Sequence, residues 1–167
     1  MDAKQGENRW FGLLPTHEAS RLSGAEFLQG SIEGIYPEPP FMEISGIRLI
    51  SAADGRSVLE ATPSAQFYNP LGIVHGGWAA LVLDTVMGSA MFSVLPKGQS
   101  AVTIDMNTSY IRAIREEMGP LRGEGVVLNA GSRVIRAEGR LFDSKGRLLV
   151  YATENAMVTE IAEMRQD

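Results

Sequence analysis

The chain has no cysteine. Disulfides, thiolate catalysis and cysteine-bound zinc are therefore excluded. Histidine is nearly as scarce: the 167 residues contain only His17 and His75, which lack the spacing of a metal-ligand pair. Positive charge is thin. Lys and Arg number 15 against 20 acidic residues, the net charge is −5, and no basic cluster occurs. Nucleic acid and anionic membranes are thus not the expected partners. No long hydrophobic run is present either. The most apolar stretch, residues 71–95, contains His75, Asp84 and several glycines and meets Pro96 just beyond it. A membrane span needs about 20 predominantly apolar residues, so this stretch is read as a buried core helix. Residues 1–9 are polar and charged with no apolar signal core behind them, which makes a cytoplasmic location the expectation.

What remains is the composition of an ordinary globular protein, 44% hydrophobic and 21% charged, at a length that suits one domain with a proper core. Residues 1–22 are expected to be a mobile N-terminal extension, 23–160 the domain, and 161–167 a C-terminal tail. Ser23, followed three residues later by Glu26, reads as a capping box that opens a short helix over residues 23–34. Pro37, Pro39 and Pro40 break helix and are expected to start an extended segment. Strands are expected over 42–51 and 56–64, joined at Ala53-Asp54-Gly55, a hairpin signal. One long helix covers 76–95 and is apolar nearly all round. Four further strands, 100–113, 120–129, 132–143 and 147–159, read as an antiparallel meander after it. The fold class is α+β, a sheet of about six strands wrapped around one central helix. The apolar circumference of that helix and the open sheet edges favour a homo-oligomer.

The chemistry concentrates where the long helix begins. Asn69-Pro70-Leu71-Gly72-Ile73-Val74-His75-Gly76-Gly77 runs directly into the helix, and Asp84 lies among Leu81, Val82, Leu83, Val86 and Met87. A helix N-terminus offers unpaired backbone N–H groups to a developing anion. A carboxylate among apolar residues has a raised pKa and serves as a base or a nucleophile. Its alternative is structural, capping buried backbone or pairing across a subunit contact. Gly76 and Asp84 are eight residues apart, roughly 12 Å of helix rise, so one chain cannot bring both to one carbonyl. If both act, two subunits share each site.

These residues resemble the hotdog-fold thioesterases, in particular the PaaI-like acyl-CoA thioesterase group. The resemblance starts with Asn69-Pro70-x-Gly72-x-x-His75-Gly76-Gly77 and Leu83-Asp84. It continues through Thr103-Ile104-Asp105-Met106-Asn107-x-x-Tyr110-x-Arg112, Gly131-Ser132-Arg133, Ala137-Glu138-Gly139 and Asp143-x-x-Gly146-Arg147-Leu148, covering about residues 24–160. It departs at Ala113, where the family often has Pro. The resemblance implies hydrolysis of an acyl-CoA thioester at a dimer-interface site, in a homodimer or homotetramer, with coenzyme A as part of the substrate and no separate cofactor. It implies Asp84 as base or nucleophile, Gly76 N–H as oxyanion donor, Asn69 holding the carbonyl or the water, and Thr103 assisting the water and Asp84. His75 and Gly77 are assigned supporting roles, with His75 orienting the loop or bonding to Asn69. Asp105 and Asn107, alternating with Thr103 on one strand, are candidates for a supporting layer around it. Trp78, Met87, Met91 and Phe92 are candidates for the acyl pocket, and Arg112, Arg115, Arg133 and Arg136 for phosphate contacts. Two other readings stand beside this one: an acyl-CoA hydratase or dehydratase, and a non-catalytic acyl-CoA or lipid-binding module. The distance from His75 to Asp84 weakens the first, and the joint presence of Asn69, Asp84 and Thr103 argues against the second.

Overall fold

Ser23 opens the first substantial helix as a true capping box. Its hydroxyl accepts from Glu26 N–H at 3.2 Å while the Glu26 carboxylate accepts from Ser23 N–H at 2.8 Å. The computed structural model describes residues 9–161, and the expectations for 1–8 and 162–167 lie outside the described residues. In chain order the elements are α1 (Thr16–Ala19), α2 (Gly24–Ile32), α3 (Pro40–Ser45), β1 (Ile47–Ala53), β2 (Arg56–Ala61), α4 (Gly76–Phe92), β3 (Gln99–Tyr110), β4 (Leu121–Ala130), β5 (Val134–Phe142) and β6 (Leu148–Glu160).

Two expectations change. The prolines do not start a strand. Pro40 takes the first position of α3, where its missing N–H costs nothing, and Gly46 ends the helix at a φ of 69°. Residues 42–45 are therefore helical, and β1 begins only at Ile47. Residues 9–12 make defined contacts with the segment before α3. Gly12 N–H donates to Glu38 O at 3.0 Å, Glu38 N–H donates to Trp10 O at 2.9 Å, and Arg9 ion-pairs with the buried Glu38. Finally, the four strands after α4 are not one meander. β4, β5 and β6 are consecutive, but β3 crosses to the far edge and pairs with β6, giving the order β1-β2-β4-β5-β6-β3, antiparallel throughout.

The hairpin between β1 and β2 turns on Asp54 and Gly55, both with positive φ, 50° and 73°, the conformation that matches strand twist in a two-residue loop. Ser93 Oγ, near the end of α4, accepts from Gly55 N–H at 2.9 Å and ties the hairpin tip to the helix.

One row of small residues decides how α4 sits. Ser57 pairs with Gly125, Gly125 with Gly139, and Gly139 with Ala152, so the row crosses β2, β4, β5 and β6. Leu83, Val86 and Met87 of α4, each fully buried, lie in this trough. A Cβ on Gly125 would stand 2.5 Å from the backbone carbonyl oxygen of Val86, and one on Gly139 would stand 2.9 Å from Met87 Cγ. Ser57 Oγ donates to that same Val86 carbonyl. Burying each large apolar side chain here stabilises the fold by about 1.5–3 kcal/mol. The sheet therefore specifies a close approach, and a methyl group there is overpacking against backbone that cannot swing aside. Gly125→Ala is expected to destabilise the protein by roughly 3 kcal/mol, read as a lowered urea midpoint; an unchanged midpoint would show that the helix rides higher than described.

Candidate active site

Leu83, Val86, Met87 and Ala90 face the sheet, so the residues turned about 100° away from them face a different neighbour. Asp84, Thr85, Gly88 and Ser89 look along the side of α4 toward β3 and line a cavity of about 290 Å³. Most of its other walls are apolar: Phe27, Leu28 and Ile32 from α2, Phe41 and Met42 from α3, and Met91 and Phe92 from the end of α4. The two proposed acyl-pocket residues Met91 and Phe92 thus meet the cavity. Trp78 and Met87 do not line it. Trp78 packs on Phe67 and donates from its indole to Ser45 O at 2.9 Å, and Met87 is fully buried under the sheet.

Thr103 reaches Asp84 from β3. Its Oγ1 lies 3.2 Å from Asp84 Oδ1 and 2.8 Å from Glu154 Oε1. Glu154, on β6, is 1% exposed, and among the described residues its Oε2 has no hydrogen-bond partner. Burial pushes the Asp84 carboxyl above its ordinary value, opposed by the hydrogen bond from Thr103. Burial is also the largest influence on Glu154 and raises its pKa. The Thr103 hydrogen bond lowers its pKa and the charges of Asp84 and Asp105 raise it, to about 7 overall.

Glu154 is the site residue that sequence reading missed. The signal was present: along β6 the buried side reads Val150, Ala152, Glu154, Ala156, one acid in a row of apolar residues. The placement of Asp105 was also misread. A bulge between Thr103 and Asp105 breaks the alternation, pairing Thr103 with Ala156 but Asp105 with Asn155. Asp105 therefore points to the outer face, where it accepts from Asn155 Nδ2 at 2.8 Å, and Asn107 opposite Thr153 is exposed as well. Neither supports Thr103.

The start of α4 forms a second, separate cavity of about 300 Å³, lined by Asn69, Gly76, Tyr110, Arg112 and their neighbours. Gly76 N–H has no partner among the described residues, the state expected of an open helix N-terminus. Gly76 is not demanded by a positive φ, which belongs to Gly72 at 70°. It is demanded by Tyr110: a Cβ at Gly76 would stand 3.1 Å from the tyrosine ring, whose hydroxyl donates to Gly76 O at 3.1 Å. His75 caps the helix, its Nδ1 accepting from Gly77 N–H at 2.9 Å, and it does not bond to Asn69. Gly77 allows this cap, since a Cβ there would stand 3.0 Å from His75 Nδ1. Asn69 Oδ1 accepts from Leu71 and Ile73 N–H and shapes the loop. Asp84 and Thr103 are thus brought together, as are Asn69 and Gly76, but the two pairs line different cavities. Of the arginines, Arg112 donates to Leu148 O, Arg115 to Gly72 O and Arg136 to Asn155 Oδ1. Among the described residues no group of three or more His, Asp or Glu side chains is placed to hold a metal ion.

The family comparisons fit this arrangement. The model of the thioesterase superfamily matches residues 71–150. Over 97 residues the chain is 36% identical to the 1,4-dihydroxy-2-naphthoyl-CoA hydrolase of Escherichia coli K12, covering 56% of this chain and 69% of that protein. Over 85 residues it is 32% identical to human acyl-coenzyme A thioesterase 13, covering 50% of this chain and 55% of that protein. A phenylacetic acid degradation-related protein from Ralstonia eutropha JMP134 superposes with a TM-score of 0.72 at 27% identity, over 78% of this chain and 98% of that one. The chain belongs to the thioesterase superfamily and has its hotdog fold, which makes it a thioester hydrolase by descent. Within that class its likeness is to the PaaI-like group.

Thr103→Val removes the hydrogen bond that Asp84 receives from Thr103 and should raise the Asp84 pKa further, because that bond favours the ionised form. The titration of the Asp84 carboxyl carbon by NMR checks this. A midpoint unmoved or lowered in the variant would contradict the contact.

Proposed function

We propose that this protein hydrolyses acyl-CoA thioesters at a site shared between two subunits. The observation that carries the proposal is Asp84: a desolvated carboxylate, hydrogen-bonded to a hydroxyl, at the polar end of an apolar cavity. The acyl group occupies that cavity. Asp84 takes a proton from water as the water oxygen adds to the thioester carbonyl carbon, and Thr103 orients Asp84 and the water. The resulting oxyanion is held by Gly76 N–H at the positive end of α4, beside Asn69. When the intermediate collapses, the C–S bond breaks and the proton passes from Asp84 to the departing thiolate. Direct attack by Asp84 to give a mixed anhydride, followed by hydrolysis, uses the same groups. Coenzyme A enters as part of the substrate and no resident cofactor is required. A cytoplasmic location belongs to the same proposal; no helix among the described residues is long and apolar enough to cross a membrane.

The shared site rests on the separation of the two half-sites within one chain. Supporting it, β3 is an edge strand of 12 residues carrying exposed Val102, Ile104 and Tyr110, and α4 leaves Leu81, Asp84, Thr85 and Gly88 only partly covered beside it. Such an edge calls for a partner. A second copy of the chain laid against β3 brings the Gly76 end of its helix toward Asp84 of the first. Nothing favours the hydratase reading, since His75 Nδ1 is engaged by Gly77 N–H at the N-cap of α4, nine residues before Asp84.

Asp84→Asn is expected to lower kcat in a thiol-release assay on acyl-CoAs on the order of 10²–10⁴-fold with the fold intact by circular dichroism. An unchanged kcat would remove Asp84 from the mechanism. Complementation tests the sharing. Asp84→Ala and Gly76→Val should each be inactive alone, while co-expression of the two should restore about a quarter of the wild-type sites, one per mixed dimer. No recovery in purified mixed dimers would place both groups in one subunit's site.

A further inference from the structure

Thr103 has one hydroxyl proton, yet its oxygen is within hydrogen-bond distance of two carboxyl groups, Asp84 Oδ1 at 3.2 Å and Glu154 Oε1 at 2.8 Å. A hydroxyl donates once. Both contacts are hydrogen bonds only if one of the two carboxyls carries a proton and donates to Thr103. Two ionised carboxylates flanking one hydroxyl would leave one contact as repulsion between lone pairs, with one of the two charges on the buried Glu154.

Burial decides which carboxyl holds the proton. Glu154 is 1% exposed and keeps an orphaned Oε2, whereas Asp84 is only partly buried and opens onto the cavity. The desolvation cost of charge is greater at Glu154. The surrounding charge acts in the same direction. Asp84 approaches from α4 and Asp105 acts from β3, while β5 presents Ala137 opposite Glu154. Glu38 lines the same cavity and already engages Arg9.

We propose that Glu154 is a positioning residue that retains one proton and donates it to Thr103 Oγ1, so that the Thr103 hydroxyl points its own proton at Asp84 Oδ1 and Asp84 is the carboxylate that stays ionised. The three groups then form a directed chain, Glu154 to Thr103 to Asp84. Ionisation of Glu154 frees Thr103 to turn toward Glu154 and withdraws its support from Asp84. Activity accordingly rises as Asp84 loses its proton and falls as Glu154 loses its own, near pH 7.

This inference rests on Asp84 being the catalytic carboxylate. The experiment compares pH profiles of kcat for the full chain and for Glu154→Gln, Glu154→Leu and Asp84→Asn on one acyl-CoA substrate, with infrared titration of the protonated carboxyl band. Gln supplies a permanent N–H donor in place of the carboxyl proton. Glu154→Leu should lose on the order of tenfold in kcat, Glu154→Gln should recover most of that loss, and the alkaline fall should disappear in Glu154→Gln. The infrared band titrating near pH 7 should be present in the wild type and absent in Glu154→Gln. An alkaline fall that persists in Glu154→Gln, or a band that persists there, overturns the proposal even if Glu154→Leu fails to fold. Full activity in Asp84→Asn defeats the reading of Asp84 instead, while an inactive Asp84→Asn beside a wild-type profile in both Glu154 variants defeats only the role of Glu154.

Discussion

Helix α4 can lie where it does only because the sheet beneath it carries nothing but small residues at the crossing. Gly125 and Gly139, flanked by Ser57 and Ala152, form a shallow trough across four strands, and Val86 and Met87 fill it. Helices pack on sheets through interdigitated side chains, so removing the Cβ atoms lets the axis drop and lets Ser57 reach the Val86 carbonyl directly. That seating also fixes the rotation of the helix. With Leu83, Val86 and Met87 committed to the trough, Asp84 has one direction left, sideways toward β3. The position of Asp84 is thus a consequence of glycine placement on strands far from it in sequence.

The side facing β3 is the costly part of the structure. Asp84, Glu154 and the Thr103 hydroxyl are drawn together in a cavity walled largely by phenylalanine, leucine and methionine. A sheet built for stability alone would put an apolar residue at the Glu154 position, as it does at Ala152 and Ala156 on either side. Keeping an acid there makes sense as part of a proton arrangement around Thr103. The bulge in β3 serves the same end. By shifting register after Thr103 it leaves Thr103 on the inner side and sends Asp105 outward, so that two acids rather than three converge on the hydroxyl.

At the opposite end of α4 the helix N-terminus is kept open by small residues with specific duties. His75 satisfies Gly77 N–H, Tyr110 fills the space a Cβ on Gly76 would occupy, and the Gly76 N–H has no partner among the described residues. The N-terminal N–H of α4 and a carboxylate eight residues further along the same helix cannot meet around one carbonyl. This is why the mechanism and the assembly are a single proposal.

The sequence by itself determined the elements whose causes are local. The Ser23 and Glu26 cap, the Asp54-Gly55 turn, the long apolar helix and the carboxylate inside it follow from neighbours a few residues apart, and so did the resemblance to hotdog thioesterases. Local reasoning failed where a choice depended on partners distant in sequence. Pro40 could break a helix or begin one, and the packing of α3 on β1 selects the second. β3 could continue a meander or cross to the far edge, and its long pairing with β6 decides that. Thr103 and Asp105 look equivalent in a strand until a bulge separates their faces. Glu154 was visible as an acid in an apolar row, but its meaning depended on which residue stood opposite. Only the tertiary structure brought α4, β3 and β6 together, because the hydrogen bonds that define this site join residues 19 and 51 positions apart.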